Sequence, residues 1–377
     1  ERRKRPHVRA GQPIPLTKSP IVRLAYRAND QGSLLALLSK GGRLLVVRIS
    51  ADDVAGDHPI ITELPQPKGA VTALALDALL ENLYVGTADG QVVHVALSET
   101  ESPEMRAAYT VAASSTAVTT LGFLSGDRSL VVMSEDGAVS TWGLVRRADA
   151  PSGWTLIQIH TLRAHNAPVT AFAPSQRVKG FVTGDMKGNL FLHHATSSQT
   201  LLRLANSEFP IRAVAFAPKG DGLIALDGAG QLSLYQVQNA YPEVTLETLF
   251  GKVWYEGYEQ PAHVWQSSSG SDDVEPKLGL LPLAFGTLKG TMYALFLAVP
   301  IAILAAMCTS QFMHQDLRAT IKPIIEVMAA LPTVVLGFLA GLWLAPLLER
   351  MLPAVAGMAL VLPLLVVVAS FAWYLCP

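Results

Sequence analysis

Five times within residues 21–235 the chain repeats one arrangement: a branched aliphatic anchor followed by a glycine 19 or 20 positions later. The anchors are Val22, Val71, Val118, Val169 and Ile211, and the glycines are Gly42, Gly90, Gly137, Gly188 and Gly230. Successive glycines lie 48, 47, 51 and 42 residues apart, so insertions fall between units while the spacing inside each unit is held. Each unit, such as "AVTALALDALLENLYVGTADGQVVHV" from Ala70, reads as three short strands separated by a polar turn and a tight turn ending in glycine. The glycine follows from turn geometry, because hairpin turns such as Asp89-Gly90 and Asp136-Gly137 need a positive φ. A sheet of three or four strands cannot bury both faces alone, so such units must stack on one another. A period of about 45 residues is that of a propeller blade.

The units resemble WD-repeat and related β-propeller blades. "TLRAHNAPVTAFAP" (161–174) is similar to the histidine-bearing entry of such a blade, and "IRAVAFAPKGDGLIALDGAGQLSLYQV" to its body. No unit closes on a Trp-Asp pair; Trp142 is followed by Gly143. A propeller-like domain is therefore expected over 21–258, after a basic segment at 1–20, with a sixth or seventh blade open to construction from 1–20 and 240–258. Chemistry in this half is sparse. His193 and His194 are adjacent, so on a strand they point to opposite faces and cannot share a metal. His165 is expected to order a turn. No phosphate-binding loop, zinc-protease helix or nucleophile elbow occurs, and "DGAGQL" lacks the third glycine of a dinucleotide fingerprint. No catalytic residue, metal site or cofactor is expected.

A polar stretch at 259–279, expected to be a linker, separates these units from an apolar remainder. Three spans are expected there, at about 281–308, 324–348 and 352–376, each long enough to cross a hydrocarbon core. The net charge is −1, so nothing global points to nucleic acid. Cys308 and Cys376 both lie in apolar runs without ligand-spaced partners, and read as small hydrophobes. Arg318 and Lys322 in an expected loop at 311–322, set against Glu349 and Arg350, favour a cytoplasmic loop and a soluble half outside, which in a bacterium is the periplasm. The five basic residues of "ERRKRPHVR" argue the other way, but long domains translocate largely regardless of charge. The chain opens on Glu1 and stops at the close of an apolar run, and is expected to be a fragment.

"LLPLAFGTLKGTMYALFLAVPIAILAA" followed by "IIEVMAALPTVVLGFLAGLWLAPLLE" resembles the first core helices of the permease subunit of the high-affinity phosphate ABC transporter. The matching positions are Gly286, Thr287, Leu288, Val299 and Pro300, then Glu326, Ala329, Ala330, Pro332, Thr333, Val334, Val335 and Gly337. The resemblance implies a multi-pass protein of the bacterial inner membrane that moves phosphate by alternating access. Its implied partners are a second permease subunit, ATP-binding subunits, a periplasmic phosphate-binding protein and membrane lipid. It also implies a first helix upstream of Glu1 and an ATPase-coupling loop not found before Pro377, and no enzymatic activity of its own.

The expected fold class is thus an all-β propeller-like domain with WD-repeat-like blades, followed by an α-helical transmembrane permease domain at 280–377. Within it, Pro332 breaks a backbone hydrogen bond that lipid cannot replace. Gly337 and Gly341 make a close-packing face. Glu326, Pro332, Thr333 and Lys289 are the transport-path or gating candidates. For Glu326 a structural role at the helix start is favoured over gating, and direct phosphate contact is disfavoured because a carboxylate repels a dianion. For Lys289, snorkelling to the interface is favoured over attracting phosphate. The competing reading is a membrane-anchored propeller acting as a scaffold or envelope-assembly factor.

Overall fold

The computed structural model of the chain describes residues 16–50, 59–97, 103–113, 115–148, 150, 153–205, 207–266 and 274–375. They fall into two compact units, 1–288 and 289–377. Most of the basic 1–20 segment lies outside the described residues, as does Cys376.

Unit one is built from five antiparallel sheets, each with its strands in chain order. They are β1–β4 (Ile21–Asn29, Gly32–Ser39, Leu44–Ser50, Ile60–Leu64) and β5–β8 (Val71–Leu76, Asn82–Thr87, Gln91–Ala96, Glu104–Thr110). Next come β9–β12 (Val118–Phe123, Ser129–Ser134, Val139–Arg146, Trp154–Leu162) and β13–β16 (Val169–Pro174, Gly180–Asp185, Asn189–His194, Gln199–Ala205). The fifth sheet has three strands, β17–β19 (Ile211–Phe216, Gly222–Asp227, Leu232–Gln236). First strands lie against first strands, β1 on β5, β5 on β9, β9 on β13 and β13 on β17, which is the plan of propeller blades.

Strand periodicity explains the stacking. Side chains alternate across a strand, so one strand can feed two cores. Leu83 and Val85 of β6 enter the core shared with the first sheet, while Tyr84 between them enters the core shared with the third. On β10, Leu130 and Val132 face the second sheet, and Val131 and Met133 face the fourth. Hydrogen bonds sew successive blades at one repeated position: Thr72 Oγ1 donates to the Val118 carbonyl at 2.6 Å and Thr170 Oγ1 to the Ile211 carbonyl at 2.5 Å. The approach is close enough to exclude side chains. A Cβ on Gly184 would stand 2.5 Å from Ile211 Cγ2, and one on Gly86 would stand 2.8 Å from Val118 Cγ1.

Four sheets have a fourth strand where sequence periodicity predicts only inter-unit insertions. These strands are edge elements, half exposed. The further blade left open to construction from 1–20 and 240–258 falls largely outside the described residues on its 1–20 side, and 240–258 contributes no strand of a blade sheet among the described residues. That stretch instead carries a short helix, α1 (Leu246–Phe250), capped by reciprocal Thr245–Thr248 bonds. The expected linker at 259–279 is also corrected over its described part: Val253 pairs with Ala262, and β20 (Trp265–Gln266) pairs with β21 (Lys277–Leu278). This strap lies on the third and fourth sheets because buried polar groups hold it there. Ser129 Oγ donates to Glu256 at 2.6 Å, Lys179 Nζ lies 2.8 Å from Glu256, and the Glu256 amide donates to Glu275 at 2.8 Å.

The apolar remainder forms α2 (Leu281–Met307), α3 (Gln315–Ala330), α4 (Thr333–Leu339) and α5 (Ala345–Leu375), with π-helical turns at Cys308–Phe312 and Ala340–Leu344. Three expectations change here. The 311–322 loop is helical from Gln315, because only one turn of chain separates it from the apolar run. The 324–348 span is not one helix, since Leu331 and Pro332 are extended and divide it. No turn separates it from the 352–376 span, because Glu349 to Leu352 contains no glycine or other breaker and stays helical. At about 1.5 Å per residue, the 31 residues of α5 extend about 46 Å, longer than a hydrocarbon core of about 30 Å.

Candidate functional site

The helix break carries most of the residues singled out from sequence. Pro332 has no N–H and disfavours helical geometry in the residue before it. Leu331 accordingly adopts φ −69° and ψ 139°, and Pro332 adopts φ −60° and ψ 117°. The Met328 carbonyl, which Pro332 has no N–H to bond, accepts instead from the Leu331 amide at 3.3 Å, and the Pro332 carbonyl accepts from the Val335 amide at 3.0 Å and the Leu336 amide at 3.2 Å, starting α4 at Thr333. Glu326 lies one turn before the end of α3, exposed and without an ion pair among the described residues.

Gly337 lies in α4 and Gly341 in the π-helical turn that follows. A Cβ built on either meets nothing within 4 Å, so this face of the helix is open. Lys289 stands apart from the break, on α2, with Nζ 5.7 Å from the centre of the Tyr293 ring one turn on. Among the described residues two helical stretches, Leu281–Phe312 and Thr333–Leu352, are long and apolar enough to cross a membrane. These features are compatible with a membrane location.

The propeller turns adopt left-handed geometry, with φ between +78° and +84° at Gly42, Gly90, Gly137, Gly188 and Gly230. At Gly137 an added Cβ would also strike the His165 carbonyl at 2.4 Å, so two constraints meet at that turn. His165 is buried in the fourth blade, its ring bonded to Asp185 at 3.0 Å and Thr183 at 2.7 Å and stacked on Phe191. His193 shares Thr183 at 3.0 Å and reaches Thr200 at 2.9 Å, while His194 turns away to Ser197. Burial holds His193 at a pKa of about 3 and His194 at about 4, so both are neutral structural groups at ordinary pH. Among the described residues no cluster of three or more ligating side chains could hold a metal.

Sequence reasoning missed two features of the propeller. One is the buried Lys179–Glu256–Glu275 group, whose members lie far apart in the chain. The other is an arginine- and tryptophan-lined cleft between the second and third sheets. Its only sequence signal is the Trp142, Leu144, Arg146 alternation, which places all three on one face of β11.

No known family's sequence profile matches the chain. A curated relative, "Probable ABC transporter permease protein YqgH" of Bacillus subtilis (strain 168), is 30% identical over 78 residues, which is 21% of this chain and 25% of the relative. The chain thus spans about a quarter of the relative it matches. Solved structures similar to it include the β-propeller domain of Myceliophteria thermophila Cps50 (Swd1), 16% identical, covering 59% of this chain and 72% of that one at a TM-score of 0.48. The WD40 β-propeller domain of Doa1 is 19% identical, covering 58% of this chain and 66% of that one at a TM-score of 0.43. The blade assignment rests on the strand order and face-to-face packing described above. The chain therefore combines a propeller-like array of blades with apolar helices, and carries a distant, partial likeness to an ABC transporter permease.

Proposed function

We propose that the chain is part of the membrane-spanning permease component of an ABC importer for inorganic phosphate. The observation that carries the reading is the likeness to a probable ABC transporter permease. The helix break at Leu331–Pro332 and the open Gly337–Gly341 face agree with it. An anchor needs one featureless span, whereas these helices carry an interrupting proline and a face on which another helix could pack.

In this reading the protein is not an enzyme. ATP hydrolysis belongs to partner ATP-binding subunits, and a second permease subunit covers the open glycine face. A periplasmic phosphate-binding protein delivers the anion, and the propeller-like domain lies on the periplasmic side of the inner membrane. Glu326 sets the end of α3 next to the break, and Lys289 anchors α2 at the interface. The test is uptake of radiolabelled phosphate in cells lacking their own high-affinity system, supplied with the complete gene and its partner subunits. Rescue that sulfate and molybdate do not compete away supports phosphate. Absence of rescue with the protein present in the membrane overturns it.

A further inference from the structure

The second and third sheets part toward their outer strands and leave a cleft of about 620 Å³. One wall is a single face of the third sheet: Leu130 on β10, Trp142 and Leu144 on β11, and Trp154 and Leu156 on β12. The other is the second sheet, with Tyr84 on β6 and Arg106 on β8. Trp142 is buried and its indole N–H is already satisfied by Ser140 Oγ at 2.8 Å, so it offers only its ring. Trp154 lines the cleft and is 41% exposed.

Three guanidinium groups stand on this cleft, Arg106, Arg128 and Arg146, all exposed. None makes an ion pair or side-chain hydrogen bond among the described residues. Three carboxylates also line it, and two of them are engaged. Asp77 accepts from the Glu81 and Asn82 amides and the Asn82 side chain at 2.9, 3.0 and 2.7 Å, and Asp127 faces Arg27 at 3.5 Å. Arg27 offsets Asp127, whereas neutral amide donors do not offset Asp77, so among the described lining residues three guanidinium groups face two carboxylates, Asp77 and Glu81, a net excess of one positive charge around an apolar, aromatic floor.

We propose that this cleft binds a small organic anion that joins a flat ring to a multiply charged group, the ring against Trp154 and the charge among Arg106, Arg128 and Arg146. The volume lies within the range of small-molecule sites, about 300–1,000 Å³. Guanidinium forks match phosphate or carboxylate oxygens, and indole faces take flat rings. The site is independent of the transport reading: it lies wholly in the propeller and is assayed by binding rather than uptake.

The test uses the full chain in lipid nanodiscs without ATPase subunits, titrated calorimetrically with ATP, with tripolyphosphate and with adenosine. ATP is expected to bind more tightly than either fragment, with affinity falling as salt rises. Arg128→Gln and Arg146→Gln are each expected to weaken ATP by about tenfold, in line with a lost charge-assisted hydrogen bond. Trp154→Ala should weaken ATP but leave tripolyphosphate unchanged. Among the described residues Arg128 and Arg146 have no ion pair or side-chain hydrogen bond to lose, so the arginine variants should keep the wild-type β-sheet circular dichroism and melting temperature. No ATP binding below millimolar concentration would overturn the proposal, as would ATP binding that none of the three variants alters. Tripolyphosphate binding as tight as ATP would overturn the ring half of it.

Discussion

Lys179 and Glu256, 77 residues apart, meet at 2.8 Å, and both side chains are buried. The contact pins the strap that leads into α2 onto the third and fourth blades, and Lys179 also donates to the Ser125 carbonyl. Removing one member of a buried pair leaves an uncompensated charge, at a cost of about 3–5 kcal/mol. Lys179→Met should therefore lower the unfolding free energy of the propeller by about that much. The Leu280 amide, which bonds to the Leu249 carbonyl at the end of the strap, should exchange faster with deuterium. Lys179→Met with Glu256→Gln should recover part of the loss. Equal losses in the single and double variants would show that the pair does not hold the strap.

Stability should depend on pH with a sign set by the buried histidines. Burial holds His94, His160 and His194 at about 4 and His193 at about 3, against about 6.5 in an unfolded chain. Below about 6.5 the unfolded state binds more protons than the folded one, so stability falls as pH drops from about 6.5 toward 4. Each histidine adds a slope of about 1.4 kcal/mol per pH unit in that window. Glu275 acts oppositely: burial first, then the Glu256 charge, raises it to about 7, so its folded form holds a proton that the unfolded form releases. Its share of the stability is greatest at low pH and is lost as pH rises through about 7. Four histidines outweigh one carboxyl, so the melting temperature should fall between pH 6.5 and 4.5, and His194→Gln should flatten that fall. A melting temperature that is flat over that range would contradict the burial of these rings.

The contact between the fourth and fifth blades gives a packing test. Gly184→Ala puts a methyl 2.5 Å from Ile211 Cγ2, and overpacking of this kind costs about 1–3 kcal/mol. At Gly230 an added Cβ meets nothing within 4 Å, so Gly230→Ala carries only the strain of φ +83°. Because Ile211 Cβ itself would lie 2.7 Å from the new methyl, Gly184→Ala combined with Ile211→Gly should regain stability relative to Gly184→Ala combined with Val214→Gly, where the clash remains. Thermal melts of the four variants measure this directly.

Blade cores were legible because the inner strands are short apolar runs, several of them, such as β10 and β14, buried on both faces, and the turn glycines at a held 19- or 20-residue spacing mark where strands reverse. The fourth strands were not legible. β8 and β16 are half-exposed edges whose pairing is decided by the strand beside them rather than by their own pattern. The strap failed for a different reason: "QSSSGSDDVEPKLG" reads as solvated, yet Glu275 within it is buried against Thr196 and the Glu256 amide. Burial of a carboxylate by partners distant in the chain leaves no local periodicity. In the helices, composition located the apolar runs, but Pro332 rather than hydropathy decided where one ended. The open Gly337–Gly341 face was visible as a spacing, and its covering partner was not.

That face supplies the last prediction. Among the described residues nothing beyond its own helix turn lies within 4 Å of a Cβ on Gly337, so Gly337→Leu should leave the chain's own fold and membrane insertion intact. If a neighbouring helix packs there in the assembled transporter, the leucine holds the two backbones apart and phosphate uptake is lost. Gly337→Ala, a smaller intrusion, should retain partial uptake. Co-purification of the ATP-binding and second permease subunits separates the causes. Lost uptake with a lost second subunit places the face in the subunit interface, whereas lost uptake with an intact complex places it on the transport path. Full uptake by Gly337→Leu would remove Gly337 from both.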